Sequence, residues 1–420
     1  MIAYNTAVVL AGASLLGAST GLVGGFAVLR RRALLGDALA HAALPGVCLA
    51  FLVLDRRNLP AMLLGALVTG ILGVSLLVGM RRATRVKEDA AIGIVLSVFF
   101  GAGLALSRII QNRASGGSRA GLDSYIFGSA ATMRLAELGL IAAVAAVCLA
   151  IVFVLYKEFK LVAFDMGFAR VQGWPAGRLD LLLMGLIAVT VVIGLPAVGA
   201  VLVAAMLILP ATAARFWTER LGKLLVISAV LGAATAAAGT LISAQFDGLP
   251  TGPTIVLVGA AAFLFSALFA LRRGAVARVL AHLRFKRRLQ DQRLLRAIFE
   301  AVEADLPERP VVTAAELAAR AELSPAALHR AAAAGWLSAE RGGYRLSEAG
   351  LARAASVMRG YRLWRLFLHE YADQHGAFGE LDVEAVDERL PADLVATLEE
   401  RLAAEGTLPH AAGPFARTSR

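Results

Sequence analysis

Val28–Phe51 reads VLRRRALLGDALAHAALPGVCLAF, and its reading decides what kind of chain this is. Asp37 and His41 lie four residues apart inside an otherwise apolar run. Four residues is one helical turn, so both side chains project from one face. A carboxylate and an imidazole placed together suit a divalent transition metal. Ionisable groups at membrane depth are costly and by default mark a substrate path. His41 is also the only histidine before residue 282. The residues leave a second reading open. Asp37 would cap the helix N-terminus or neutralise Arg30 to Arg32, and His41 would be a hydrogen-bonded structural residue.

The rest of the composition agrees with a membrane setting. The chain has 420 residues, 58% of them hydrophobic, and a mean hydropathy of +0.70, well above a soluble protein. Residues 1–273 carry 22 Lys+Arg against 11 Asp+Glu, whereas the last 147 residues carry 20 of each. The division this suggests is a transmembrane domain at 1–273, a basic linker at 274–296 and a soluble domain at 297–420. The net charge of +11 therefore belongs to the loops of the apolar part and does not imply nucleic-acid binding. Cys48 and Cys148 both lie in apolar runs, which suggests neither a disulfide nor a zinc site.

Apolar runs long enough to cross about 30 Å of hydrocarbon are expected at 6–29, 36–54, 59–80, 90–110, 132–156, 179–196, 199–217, 222–245 and 253–271. The pair around Pro196 and Pro210 is the least regular. The first run has no basic leader and enters Arg30 directly, so it reads as a membrane helix. With the N-terminus outside, 16 of the 22 cations fall on the cytoplasmic side, as the positive-inside rule requires. The tail is then cytoplasmic. The fold class expected is an all-α polytopic membrane protein of about nine transmembrane helices with a winged helix-turn-helix-like cytoplasmic domain.

The Leu34-Leu-Gly-Asp37-Ala-Leu-Ala-His41-Ala-Ala-Leu-Pro-Gly46 run behind Arg30 to Arg32 resembles the signature of the metal-transporting ABC importer permeases. The resemblance implies a type II importer-like permease in which Asp37 and His41 line the translocation path. Ala40 stands where that family often has Ser, which leaves both ligands intact. One helix offers only two ligands, so a second permease copy or paralogue would complete the site, with water filling the shell. Such an open site suits an ion that must also be released. Asp and His accommodate manganese, iron(II) and zinc alike, so the transported metal is the substrate and no resident cofactor is expected. Glu137 is the other acid considered for the path.

Two more stretches carry the same resemblance. Leu155–Arg178, LYKEFKLVAFDMGFARVQGWPAGR, is the longest cytoplasmic loop. On the residues alone it reads first as an ordinary interfacial amphipathic helix. Its Phe164-Asp165-x-x-x-Ala169-x-x-x-Gly173 spacing resembles the element by which ABC permeases receive motion from their ATPase, which gives Phe164, Asp165, Ala169 and Gly173 a coupling role. LDSYIFGSAATM from Leu122 resembles the family's Ser-Tyr-Ile-Phe-Gly segment and reads as a packing turn. The external turn Asp247–Thr254 reads first as a plain loop, with contact to a solute-binding protein as the alternative. The sequence has no G-x-x-x-x-G-K-[ST] run. The resemblance therefore implies a non-enzymatic subunit with a separate ABC ATPase and an extracytoplasmic metal-binding lipoprotein as partners.

In the tail, Thr313-Ala-Ala-Glu316 is a capping box, and Ser324-Pro325 starts a second helix ending at Gly335. A hairpin then spans Trp336–Ser347 with Gly342 and Gly343 at its tip. Helix, turn, helix and hairpin make a winged helix-turn-helix. Residues 294–408 resemble the iron- and manganese-dependent repressors (DtxR-like). Tyr361 and Arg365 stand where that family has ligands, and Glu388-Arg389 replaces a Glu-His pair. His369 and His375 are too far apart in sequence to share one helical face. The second helix offers only His329 and Arg330 to a nucleic acid, and from Ala297 onward 13 Lys+Arg face 19 Asp+Glu. Nucleic acid is an unsuitable partner for such a surface. The function expected is a membrane permease subunit of a divalent-metal ABC importer. The alternatives are a membrane-tethered metal-responsive transcription regulator and an ion-driven secondary carrier.

Overall fold

The computed structural model describes residues 4–30, 32, 34–55, 58–113, 133–246, 248–270, 273–306, 310–313, 315–316, 325–371 and 390–409. The chain divides into two compact units, Met1–Arg278 and Val279–Arg420.

Among the described residues, every regular element of the first unit is a helix. Its elements are α1 (Tyr4–Leu29), α2 (Leu34–Leu54), α3 (Leu59–Ala83), α4 (Glu88–Arg113), α5 (Leu135–Val154), α6 (Tyr156–Phe164), α7 (Met166–Val171), α8 (Ala176–Val198), α9 (Ala200–Trp217), α10 (Leu221–Gln245) and α11 (Thr251–Phe269). Eight of these, all but α6, α7 and α9, are long and apolar enough to cross a membrane. The ninth expected span, 199–217, corresponds to α9, which is shorter, contains Pro210 and is separated from α8 by Gly199 alone. Its starts and stops follow from local chemistry. Asn58 caps α3, its side chain accepting from the Ala61 amide at 3.4 Å, with Pro60 in the first turn, where a missing N–H costs nothing. Glu137 is also accounted for locally: its carboxylate accepts from the Arg134 amide at 3.2 Å at the start of α5.

α1, α2 and α8 are the most buried spans, while α3, α4, α5 and α11 leave most of their apolar surface open. Leu64, Val68, Val98, Val147, Leu149 and Phe153 are among the exposed large side chains, a surface suited to lipid rather than water. Lipid provides no hydrophobic drive between helices, so close backbone approach takes its place. α2 packs on α3, α4, α8 and α9. Where α2 crosses α3, a Cβ on Gly46 would lie 2.0 Å from the Gly65 carbonyl oxygen, and one on Gly65 would lie 2.4 Å from the Gly46 oxygen. The α1–α10 contact adds a hydrogen bond, the Ser228 hydroxyl donating to the Gly21 carbonyl at 2.5 Å.

In the second unit, α12 (Ala275–Val302), which begins just before the division, is followed by a 3-10 turn at Glu303–Asp305. The stretch expected as a basic linker, 274–296, lies largely within α12. Its later turns bury Leu294, Leu295, Ile298, Phe299 and Val302 in a core shared with Ala327, Ala331, Leu337, Leu346, Ala354 and Met358. These come from α13 (Pro325–Ala333), a hairpin of β1 (Leu337–Glu340) and β2 (Gly343–Leu346), and α14 (Glu348–Tyr371). The hairpin pairs Leu337 with Leu346 and Glu340 with Gly343, and Gly342 has φ +102° at its tip. Thr313 and Glu316 exchange both capping-box hydrogen bonds, at 2.9 and 3.2 Å. The remainder of the expected first helix, and Ser324, lie outside the described residues. Leu363 and Phe367 of α14 pack on α15 (Ala392–Ala404) through Val395, Leu398 and Leu402.

Candidate functional site

α2 supplies the first pair of site residues. Asp37 stands in the first turn of the helix, where the positive end of the dipole favours a carboxylate. His41 follows one turn later, its Nε2 3.4 Å from Asp37 Oδ1. Both side chains therefore share a face, as the spacing requires. The His41 side chain is 14% exposed and that of Asp37 35%. The imidazole lies edge-on to Phe100 of α4, with ring centroids 4.7 Å apart. Nothing in the sequence marks Phe100 as a neighbour of His41, because the contact joins two helices.

Arg30 and Arg32 close on Asp180, at 2.7 and 3.0 Å. The role once open to Asp37, neutralising these arginines, thus falls to an acid of α8 that the sequence does not connect with them. The pair on α2 amounts to two donors. Among the described residues, no group of three or more His, Cys, Asp or Glu side chains is gathered as a metal would need. Leu34, one turn before Asp37, is exposed, so the stripe through 34, 37 and 41 is the less covered side of α2.

The second part of the site is α6–α7. Phe159 and Val162 are buried, with Phe159 edge-on to Phe26 of α1 at 5.8 Å. Three residues of the Phe-Asp-Ala-Gly pattern, Asp165, Ala169 and Gly173, have a local reason to be there. The Asp165 carboxylate caps α7, accepting from the Phe168 amide at 2.9 Å. Ala169 is fully buried. Gly173 has φ +83°, and the Gly173 and Trp174 amides return to the Arg170 and Ala169 carbonyls, both at 3.0 Å. That is a Schellman turn, which needs a residue tolerant of positive φ at this position. Phe164, Phe168, Val171 and Trp174 are left exposed beside it, a compact apolar patch on a charged segment. The 122–132 part of the Leu122 segment and Asp247 lie outside the described residues.

Residues 3–270 match the ABC 3 transport family. The chain belongs to that family. ABC 3 proteins are membrane permease subunits of ABC transporters, and the helical unit is such a permease embedded in a membrane. Among curated relatives, the manganese transport system membrane protein MntC of Bacillus subtilis is 47% identical over 299 residues, covering 71% of this chain and 68% of MntC. The zinc transport system membrane protein TroC of Treponema pallidum is 40% identical over 273 residues, covering 65% of this chain and 91% of TroC. Among solved structures, PsaBC from Streptococcus pneumoniae in complex with Fab superposes with a TM-score of 0.59 at 29% identity, over 67% of this chain and 95% of that one.

Proposed function

We propose that this chain is the permease subunit of an ABC importer that carries divalent transition-metal ions, manganese, zinc or iron, into the cytoplasm. Asp37 and His41 are the ligands that line the path, and the observation that carries the reading is their 3.4 Å approach on one face of an apolar helix. The relatives named for manganese and zinc transport support it. Two donors hold an ion weakly, and a second copy or a paralogous permease presenting the same helix doubles them. Water completes the shell, so the ion is held without being trapped. Uptake of radiolabelled manganese, zinc and iron by cells carrying Asp37→Ala or His41→Ala, with protein level checked, tests this. Loss of uptake in both variants is expected; undiminished uptake of all three metals would refute the ligand role.

The α6–α7 segment is the coupling element. Phe164 and Phe168 are offered to an ABC ATPase, while Asp165, Ala169 and Gly173 hold the helix and its turn in shape. A lipoprotein outside the membrane delivers the ion. The N-terminus is outside and the tail cytoplasmic, with a permease domain at 1–273 and a winged-helix, repressor-like domain at 297–420. That domain is degenerate as a regulator. The Arg296 guanidinium lies over the Tyr361 ring at 4.4 Å, where the repressors have a ligand. Arg330 is held by Asp291 at 2.8 Å and Gln290 at 3.3 Å, which supports interaction with protein over DNA reading. Sequence-specific DNA binding by the full chain at physiological salt would favour the tethered-regulator alternative.

A further inference from the structure

We propose that Asp180, clamped between Arg30 and Arg32, is the positioning residue that passes movement of the coupling segment to the helix bearing Asp37 and His41. The inference rests on the coupling reading of α6–α7 and adds the route inward from it. Three elements meet at this acid. Arg30, the residue after α1, pairs with Asp180 at 2.7 Å and donates to the Val162 carbonyl at 2.5 Å. Val162 is in the last turn of α6, where carbonyls lack intrahelical partners and the helix dipole favours a cation. Arg32 donates to both Asp180 oxygens, at 3.1 and 3.0 Å, and its own carbonyl accepts from the Leu35 amide at 3.1 Å as α2 begins. Asp180 sits one turn into α8, whose start follows the coupling segment after Trp174 and Pro175.

The clamp is therefore tied to α6 through Arg30, to α2 through Arg32 and to α8 through its own backbone. The three side chains are only 11%, 13% and 15% exposed. Removing the Asp180 carboxylate would take away the ion pair that these two poorly hydrated cations share, so the three are strongly coupled. A second tie, Phe159 on Phe26, keeps the end of α1 moving with α6. Displacement of α6–α7 then reaches Asp37 through five residues of chain, Arg32 to Gly36, without crossing a loosely packed interface. A fixed ion triad is suited to this because its geometry is specific, whereas apolar contacts would slide.

The test uses the complete transporter in proteoliposomes: this chain, its ATPase and its binding protein, with manganese as the probe. The readout is manganese imported per ATP hydrolysed. Asp180→Asn preserves shape and removes the charge. It is expected to keep ATPase association and hydrolysis within about twofold while lowering manganese per ATP by about tenfold, within the range of coupling changes between sites. Arg30→Gln combined with Asp180→Asn is expected to be no worse than Asp180→Asn alone, as for residues acting in one unit. If Asp180→Asn does not accumulate, Arg30→Lys carries the test. Its compact ammonium lacks the planar fork whose two nitrogens reach Asp180 and Val162 separately, so a partial loss of manganese per ATP is expected. An unchanged ratio in the variant that accumulates overturns the proposal, as does a parallel fall of uptake and hydrolysis. Failure of the coupling reading itself would look different: Phe168→Ser would leave ATPase association intact.

Discussion

Replacing Gly46 by Ala probes how the candidate site is held. A Cβ there would meet the Gly65 oxygen at 2.0 Å, the Gly65 carbonyl carbon at 2.4 Å and Thr69 Oγ1 at 2.3 Å. Two of the three atoms are backbone, so no rotamer change relieves the clash. For contact to return to the ordinary 3.4 Å, α2 and α3 must part by about 1.4 Å along that line. Overpacking of this kind costs about 1–3 kcal/mol. The substitution also recovers up to about 1 kcal/mol of helix propensity, so a net loss of roughly 1–2 kcal/mol is expected. The reciprocal Gly65→Ala needs an opening of only about 1.0 Å, from 2.4 Å, and should cost less. The double variant should cost little more than Gly46→Ala alone, because one separation relieves both clashes. His41 lies five residues before Gly46, so moving α2 changes the contact of its ring with Phe100, now 4.7 Å away. Thermal unfolding of the purified protein, at about 2–4 °C per kcal/mol, and manganese uptake at matched protein level report the two effects. Gly46→Ala is expected to lower the midpoint and cut uptake by about tenfold, below the roughly hundredfold that a 1 Å misplacement of reacting groups can cost. A variant as stable and active as the parent, or one milder than Gly65→Ala, would refute the reasoning.

Three further substitutions, at two positions, separate the shape of the coupling segment from its surface. Gly173→Val forces a β-branched residue to φ +83°, at a cost of about 1–2 kcal/mol, and should weaken ATPase co-purification. Because nothing lies within 4 Å of its Cβ position, Gly173→Asn should be nearly silent in the same assay. Phe168→Ser acts on an exposed ring, so thermal stability should hold while ATPase co-purification is lost; an unaltered complex would remove Phe168 from the contact. The ligand variants Asp37→Ala and His41→Ala, and Asp180→Asn, are to be read alongside these. The first pair should abolish uptake, and the last should change the yield of uptake per ATP.

Much of the molecule was legible before folding because lipid imposes a coarse rule. Every crossing must be a long apolar helix with its backbone satisfied internally, so runs such as 222–245 and 253–271 coincide with α10 and α11 to within two residues. α9 is shorter because it starts only after Gly199, whose φ of +89° parts it from α8, and it runs through Pro210 to Trp217 without a break. The Asp37–His41 pair was legible for a different reason: both residues lie within one helical turn, so their approach is a property of the helix itself. Asp165 and Gly173 stood out only through the family resemblance; their geometry as cap and Schellman residue is the structure's finding, although it too is settled within ten residues of chain.

The tertiary structure alone decided which distant groups share a charge and which helix faces meet. Arg30 and Arg32 stand about 150 positions from Asp180, and either Asp37 or Asp180 satisfies the composition; only the packing of α8 beside the α1–α2 turn selects the second. Phe100 reaches His41, and Gly46 reaches Gly65, across helix pairs whose sequences show no periodicity that pairs them. Local spacing specifies contacts within one turn because the helix has a single geometry. Contacts between helices depend on crossing points set by every residue in the interface, and no short stretch of sequence contains them.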